Sequence, residues 1–449
     1  MSKRPSIYRK VTLTTKDGFT SDLRLACVSI DFFQDVLSPA VTGKIIIMNS
    51  MTNIKDDQGA TVTLYEGLKL RGGEKIEIDI EPNDPDNLRL DYTFRPMYVS
   101  GVSELTRMAL KQYFTLNLFT KEAYDNETKF LEKAYSKEAK ISDHVNNILT
   151  ENFPTSAINK IDSATNTYGF IGNQMKPFAG VTRLASKSVP EGSGTGGNSA
   201  TAGFFFYQTP KGFNFRSIDS LMKEEPKAQY TYSEVSSADE TCDFKSTPEL
   251  SSNRYKIEDF HVSKNQNLVR NLRQGVYASA KKFFNPVDFT VTPPQEFFSG
   301  DKYIRGVSNL GQAFDPQDIS LAGDSLSFTN IPTRILNEVY DIGTVEKEVN
   351  QEPTQNPDEF LAQRKMRYNT LFTQDLNIQV SVNTNLEAGD LVKCLFPKTQ
   401  ECPTDDIDQD QLSGLYMIKE IRHHFDTRGS YSSMRLLRDT FGLYGANNK

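Results

Sequence analysis

Two stretches, near the beginning and the end of this chain, run through the same series of strand-like segments. In the first, Gly73-Glu74 opens a run from Lys75 to Ile80, Met97-Tyr98-Val99-Ser100-Gly101-Val102 follows, and Tyr113–Thr120 closes the series. In the second, Gly389-Asp390 opens Leu391–Phe396, Tyr416-Met417-Ile418-Lys419-Glu420-Ile421 follows, and Tyr431–Arg438 closes it. The opening glycine stands 24 residues before the middle run in one copy and 27 in the other. The gaps from middle to closing run are 11 and 10. The preceding pieces match in order too. Leu23–Ile30, a helical Phe33–Leu37 and Gly43–Met48 in the first copy face Tyr255–Val262, a helical Leu268–Leu272 and Tyr277–Phe283 in the second. Matched order and spacing predict a duplicated folding unit.

The pattern inside the runs says what that unit is. Ile76, Ile78 and Ile80 alternate with Glu77 and Asp79; Leu376, Ile378, Val380 and Val382 alternate with Asn377, Gln379 and Ser381. Period-2 alternation puts one face of a strand inside, as in a small barrel or sandwich. The 29 Phe and 19 Tyr, with no Trp, suit half-buried pleated surfaces. The fold class expected is therefore mainly β with α+β parts, containing two β-barrels.

Between the copies the pattern changes. Ile141, Val145, Ile148 and Leu149 fall on one helical face. Residues 187–203 are rich in Gly and Ser and read as a flexible loop. A strand at Gly203–Tyr207, a turn at Pro210-Lys211-Gly212 and a short helix from Ser217 to Met222 follow. Residues 293–355, rich in Pro, Gly, Asp and Asn, read as an insertion, with a helix starting near Asn356-Pro357 because Asn caps and Pro suits the first turn. The expected division is 1–120, first barrel; 121–249, an α/β domain; 250–292 with 366–441, second barrel; 293–365, insertion; 442–449, tail.

No residue pattern points to chemistry. Gly192-Ser193-Gly194-Thr195-Gly196-Gly197 spells a dinucleotide-binding pattern, but Val189-Pro190-Glu191 precedes it instead of a strand. His423 and His424 are neighbours, so on a strand they point to opposite faces; His144 and His261 lack partners at metal-ligand spacing. Asp405, Asp406, Asp408 and Asp410 resemble the start of a calcium loop. Gln411 stands where the sharp-turn glycine belongs, however, and Met417 where the closing Glu belongs. Asn126-Glu127-Thr128 is a glycosylation sequon that a cytosolic product leaves unused. Neither a G-x-S-x-G nor an H-E-x-x-H occurs. Catalytic, cofactor-binding and metal-binding residues are all expected to be none, with no cofactor.

The net charge of −7 argues against general nucleic-acid binding but suits a wall that DNA slides past. Cys27, Cys242, Cys394 and Cys402 form no C-x-x-C pair and read as reduced thiols of a protein made in the cytoplasm. No apolar run has the length of a signal peptide or a membrane span, so no membrane role is expected.

The C-terminal stretch carries a resemblance. Leu386-Glu387-Ala388-Gly389-Asp390-Leu391-Val392, Leu412-Ser413-Gly414-Leu415-Tyr416-Met417-Ile418, His423-His424-Phe425 and Ser433-Met434-Arg435-Leu436-Leu437-Arg438-Asp439 are together similar to baseplate central hub proteins of contractile-tailed, T-even-like phages, including those of cyanobacteria. Gly203–Gly212, Asn253–Phe289 and Leu37–Met48 share that cast. The resemblance implies two tail-tube-like barrels per chain and a homotrimer forming a pseudo-six-fold ring in the virion baseplate. It implies no enzymatic role. The implied partners are the central spike or needle, tail tube and tube-initiator proteins, and baseplate wedge proteins, with DNA passing through the lumen without specific binding. Three other readings stand beside it. One is a hub component of a related contractile injection system. Another is a particle-associated cell-wall hydrolase, which would need two converging carboxylates in a groove. The third is a glycan-binding adhesin, which the lack of Trp weakens.

Overall fold

The computed structural model describes residues 6–50, 54–55, 61–82, 87–108, 111–191, 202–232, 255–264, 266–286, 289–291, 295–297, 309–312, 319–323, 325–339, 361–396, 411–426 and 428–441. The Gly192–Gly197 pattern, the Asp405–Asp410 cluster, Asn356-Pro357 and the 442–449 tail lie outside them.

The first region carries β1 (Ile7–Thr14), β2 (Thr20–Asp22), β3 (Cys27–Asp35), β4 (Thr42–Ser50), β5 (Ile54–Lys55) and β6 (Thr61–Val62). A single helical turn, α1 (Leu64–Gly67), leads to β7 (Lys75–Glu81), β8 (Leu90–Asp91), β9 (Met97–Met108) and β10 (Lys111–Thr120). The middle region carries α2 (Lys121–Thr128), β11 (Ala134–Tyr135), α3 (Ile141–Asn152), β12 (Ile158–Ile161), β13 (Phe170–Ile171) and α4 (Pro177–Lys187). It continues with β14 (Phe204–Thr209), β15 (Gly212–Ser217), α5 (Ile218–Met222) and β16 (Ala228–Thr231). The last region carries β17 (Ile257–Lys264), α6 (Leu268–Gln274), β18 (Ser279–Phe284), β19 (Gln295–Phe297) and β20 (Arg334–Val339). Helix α7 (Leu361–Thr370), β21 (Gln374–Ser381), β22 (Leu391–Leu395), β23 (Gly414–Asp426) and β24 (Ser430–Arg438) complete it.

The two strand-rich regions are alike in backbone detail. In the first the pairing order is β3-β4-β10-β9-β7; in the second it is β17-β21-β24-β23-β22. Gly73 N–H donates to Val99 O (2.6 Å) and Val99 N–H to Glu74 O (2.9 Å). Gly389 N–H donates to Ile418 O (2.8 Å) and Ile418 N–H to Asp390 O (2.9 Å). Both glycines sit in the left-handed region, at φ +90° and +92°. Bulges recur at equivalent places. One lies opposite Asn117 and Leu118 in the first copy and between Ile418 and Glu420 in the second. Another lies between Cys27 and Ser29, and again between Ile257 and Asp259. Bulges re-aim a strand and so mark a shared design rather than a coincidence of alternation.

Each copy wraps its own apolar core. The isoleucines of β7, with Ile45, Ile47, Phe114, Leu116 and Leu118, fill the first. Tyr230, Ile378, Val380, Cys394, Tyr416, Ile418 and Leu436 fill the second. In the second copy β16 pairs in parallel with β22, and an isolated parallel bridge from Thr231 to Lys256 brings the far end of the ladder back to the start of β17. In the first, Tyr8 Oη donates to Phe425 O (3.0 Å), so β1 returns toward β23.

Two expectations change. The segment Phe33–Leu37 is not helical: β3 runs on to Asp35 because both of its edges are taken, Phe33 lying opposite Thr42 on one side and Arg422 on the other. The counterpart of Gly43–Met48 is β21, not Tyr277–Phe283. Residues Ser279–Phe284 pair with β19 and β20 in a separate sheet. Chain order misled here, because the inserted segments fall between β17 and its ladder neighbour. The two copies are also joined: among the described residues their strands belong to one 14-stranded sheet.

The middle region is a mixed layer. Strands β12, β15 and β14 form a sheet in which β12 and β15 run parallel. The run Phe204-Phe205-Phe206-Tyr207 is buried on both faces. Alternation sends Phe204 and Phe206 toward α3 and α4, and Phe205 and Tyr207 toward Leu391, Met417 and Leu437 of the second copy. Helix α7 is pinned there by fully buried Arg367, which donates to Asp219 (2.7 Å) and Asp439 (3.2 Å).

The duplicated glycines differ in what surrounds them. A Cβ on Gly73 would meet only the flexible end of Lys16, at 3.2 Å, whereas on Gly389 it would meet Tyr207 Oη at 2.5 Å. Gly73→Ala should therefore cost about 1–2 kcal/mol from the left-handed conformation alone. Gly389→Ala should cost about 1–3 kcal/mol more through overpacking. Urea midpoints of the two variants, compared with wild type, check the difference.

Candidate functional site

The place where the copies meet is a strand seam. Strand β23 is long enough to serve two neighbours on one edge. Residues Gly414–Met417 pair with β22, and Glu420–Asp426 pair antiparallel with β3, from Glu420 opposite Asp35 to Asp426 opposite Ser29. The bulge at Lys419 separates the two stretches.

Charged side chains line this seam. Asp31, buried within the run Ile30–Phe33, accepts from Arg422 Nε (2.8 Å) and His424 Nδ1 (2.6 Å). Burial alone would raise the Asp31 carboxyl; the hydrogen bonds from His424 and Arg422, with the charges behind them, outweigh it and hold the group below the ordinary carboxylate value. Asp35 behaves oppositely. Burial dominates and raises it, only partly offset by the Leu37 N–H and by Lys419, 3.1 Å away. Lys419 also pairs with Glu420. Arg435 from β24 joins the cluster with a bidentate grip on buried Asp375 (2.6 and 3.0 Å) and a longer contact to Glu420 (3.5 Å).

An open groove over the seam is lined by Asp35, Glu420, Arg422 and Arg435, among others. Two carboxylates therefore face one groove, as a hydrolase would need. Each is engaged, however: Asp35 by Lys419, and Glu420 by Lys419 and Arg435. Bound this way they brace a joint rather than present a free acid and nucleophile.

The other sequence candidates scatter. As neighbours on a strand, His423 and His424 do face opposite ways. His423 turns inward, Nδ1 3.0 Å from Ser432 Oγ, and burial pushes its imidazole down to about 4. His424 faces the seam. His144 is buried on α3, its Nε2 2.9 Å from both Ser136 O and Tyr168 O. His261 is exposed on β17. Asn126 is buried and caps α4, accepting from Phe178 N–H (2.9 Å). Among the described residues no group of three or more His, Cys, Asp or Glu could hold a metal ion. Cys27 and Cys394 are buried free thiols, each pushed up to about 12 by burial. No helix among the described residues is long and apolar enough to cross a membrane.

Sequence reasoning passed over Asp31, Asp35, Asp375, Arg422 and Arg435. Their one signal was an acid set inside an apolar strand run, as in Ile30-Asp31-Phe32-Phe33, which requires a partner when buried.

No family model matches the chain, and no curated protein does. Solved structures do. The 43 kDa tail protein of prophage MuSo2 from Shewanella oneidensis aligns with 96% of this chain and 98% of its own length, at a TM-score of 0.51 and 10% identity. The tail protein from Neisseria meningitidis MC58 aligns over 96% of both chains, at a TM-score of 0.49 and 10% identity. A prophage tail protein from Listeria monocytogenes aligns with 95% of this chain and 94% of its own, at 0.43 and 8%. The mixed α/β, strand-rich fold is thus one that this chain shares with the Shewanella prophage tail protein across nearly all of both.

The seam predicts a measurable pH dependence. A carboxyl held below its unfolded value contributes stability that is present above that value and lost as pH falls through the folded one. Asp31→Asn should cost about 1–3 kcal/mol near neutral pH. The gap from wild type should begin to shrink near pH ~4, where the unfolded carboxyl protonates, and close as pH falls through the lower folded value. Urea denaturation of both proteins at pH 7 and pH 3 measures it.

Proposed function

We propose that this chain is a structural, non-enzymatic hub subunit at the end of a phage tail or related contractile injection machine. Three copies would form a ring of six similar β units, each a tail-tube-like barrel. The observation that carries this reading is the duplication: one polypeptide presents two units with the same ladder order, the same glycine-opened strand and two bulges in common, already joined edge to edge. A two-unit chain repeated three times is six-fold in outline and three-fold in fact, which suits an adaptor between a six-fold tube and a three-fold spike. The tail-protein fold supports the same reading.

The proposed units are residues 6–120 and, in the second, β16, β17 and β21–β24, with β18–β20 belonging to the insertion. The middle α/β region and the insertion widen the ring on its spike-facing side. Its partners are the spike below, the tube and its initiator above, and wedge proteins around it. The net negative charge leaves DNA free to pass without sticking. The protein resides in the particle after cytoplasmic synthesis.

The mass of the purified protein tests this, alone and mixed with the spike protein of the same particle. A species of about 150 kDa, three chains of 50.6 kDa, alone or on the spike, is the expected result. A monomer that ignores the spike contradicts it.

A further inference from the structure

The seam uses up one strand edge from each copy of the unit and, among the described residues, leaves no strand beside the other two. In the first unit, β3 gives its outer edge to β23; its counterpart in the second unit, β17, pairs with β21, and among the described residues no strand pairs with its other edge from Ile257 onward. In the second unit, the far half of β23 receives β3; its counterpart, β9, pairs only with β10 beyond Val99 among the described residues. These open edges carry the marks of a surface awaiting cover. Residues Glu104–Met108 are exposed, with Leu105 and Met108 at 44% and 64%. Asp259, His261 and Ser263 are exposed along β17. A bare strand edge invites pairing with another chain, and both missing partners exist on every copy.

We infer that the outer edge of β17 in one copy pairs antiparallel with Thr106–Met108 of β9 in the next, beyond the bulge that β9 makes between Ser103 and Thr106, continuing between chains the joint that β3 and β23 make within one. This rests on the ring-forming reading above and names the contact that closes the ring.

The register follows from the ladders. Ile30 and Phe260 occupy one position, facing the equivalent Ile45 and Ile378; Asp31 and His261 are next. On the other side Thr106 and His424 correspond, opposite Tyr113 and Tyr431. Since His424 faces Asp31 and Phe425 faces Ile30 in the internal seam, Thr106 faces His261 and Arg107 faces Phe260 between chains. Met108 then faces Asp259. His424 lies directly opposite Asp31 at the template position, and residues so opposed have Cβ atoms about 4.5–5.5 Å apart, so a small shift brings a pair of cysteines placed there within bonding reach. The joint is head-to-tail, and such contacts give a closed ring when the rotation per copy closes.

The test uses the full chain with Thr106→Cys and His261→Cys, singly and together, under mild oxidation. The double variant should give disulfide-linked species of two and three chains on a non-reducing gel, absent from each single variant and collapsing to one chain with reductant. A wild-type protein that is trimeric by mass, with a double variant that cross-links no more than the singles, overturns the proposed joint and leaves the hub reading standing. A wild-type protein that stays monomeric at every concentration and on the spike overturns both.

Discussion

The pairing of β3 with β23 is the interaction on which the rest depends. Without it the chain would hold two similar units on a long connection. With it, seven consecutive residues of each strand share one ladder, and the units have one fixed relative position. Asp31 sits in the middle of that ladder, where its charge would be costly to bury alone. Arg422 and His424 come from the partner strand and meet it. A shift of one residue would turn those side chains to the wrong face and leave the carboxylate unpaired, so the cluster specifies register as well as stabilising it.

The middle region is fastened by the same logic. Its sheet is apolar on both faces, so it packs between its own helices and the second unit. Buried ions fix the details: Arg367 bridges α5 and the end of β24, and Arg438 reaches Gln374 (2.9 Å) and Ser413 O (2.8 Å) over the Tyr416 ring. Lys211 and Lys227 pair with Glu387 and Asp390 around the Gly389 turn, tying it to the β14–β15 turn and to the start of β16. The turn that opens the second unit's strand is thus also the turn that holds the middle region.

Much of this was legible in the sequence. Alternation and the matched repeat located β7, β9, β10, β21, β22, β23 and β24, and the paired Gly73-Glu74 and Gly389-Asp390 openers are equivalent down to their hydrogen bonds. Local pattern says which face of a strand is buried but not which strand lies beside it. The counterpart of β4 was therefore assigned to the next strand in the chain, and the true one, β21, lay beyond the insertion. The segment Phe33–Leu37 reads as helical in isolation; its strand character comes from two neighbours that local sequence does not reveal. The seam cluster was missed for the same reason. Its residues, Asp31, Asp35, Asp375, Arg422 and Arg435, are far apart in the chain and become a site only through pairing.

Native-state hydrogen exchange reads directly whether the two units form one body through the β3–β23 ladder. Amides in a ladder integral to the fold open only with it. Amides of β3 and β23 across the seam should exchange as slowly as those inside β10 and β24, in the same cooperative step. Seam amides that exchange quickly while each unit's interior remains protected would contradict it.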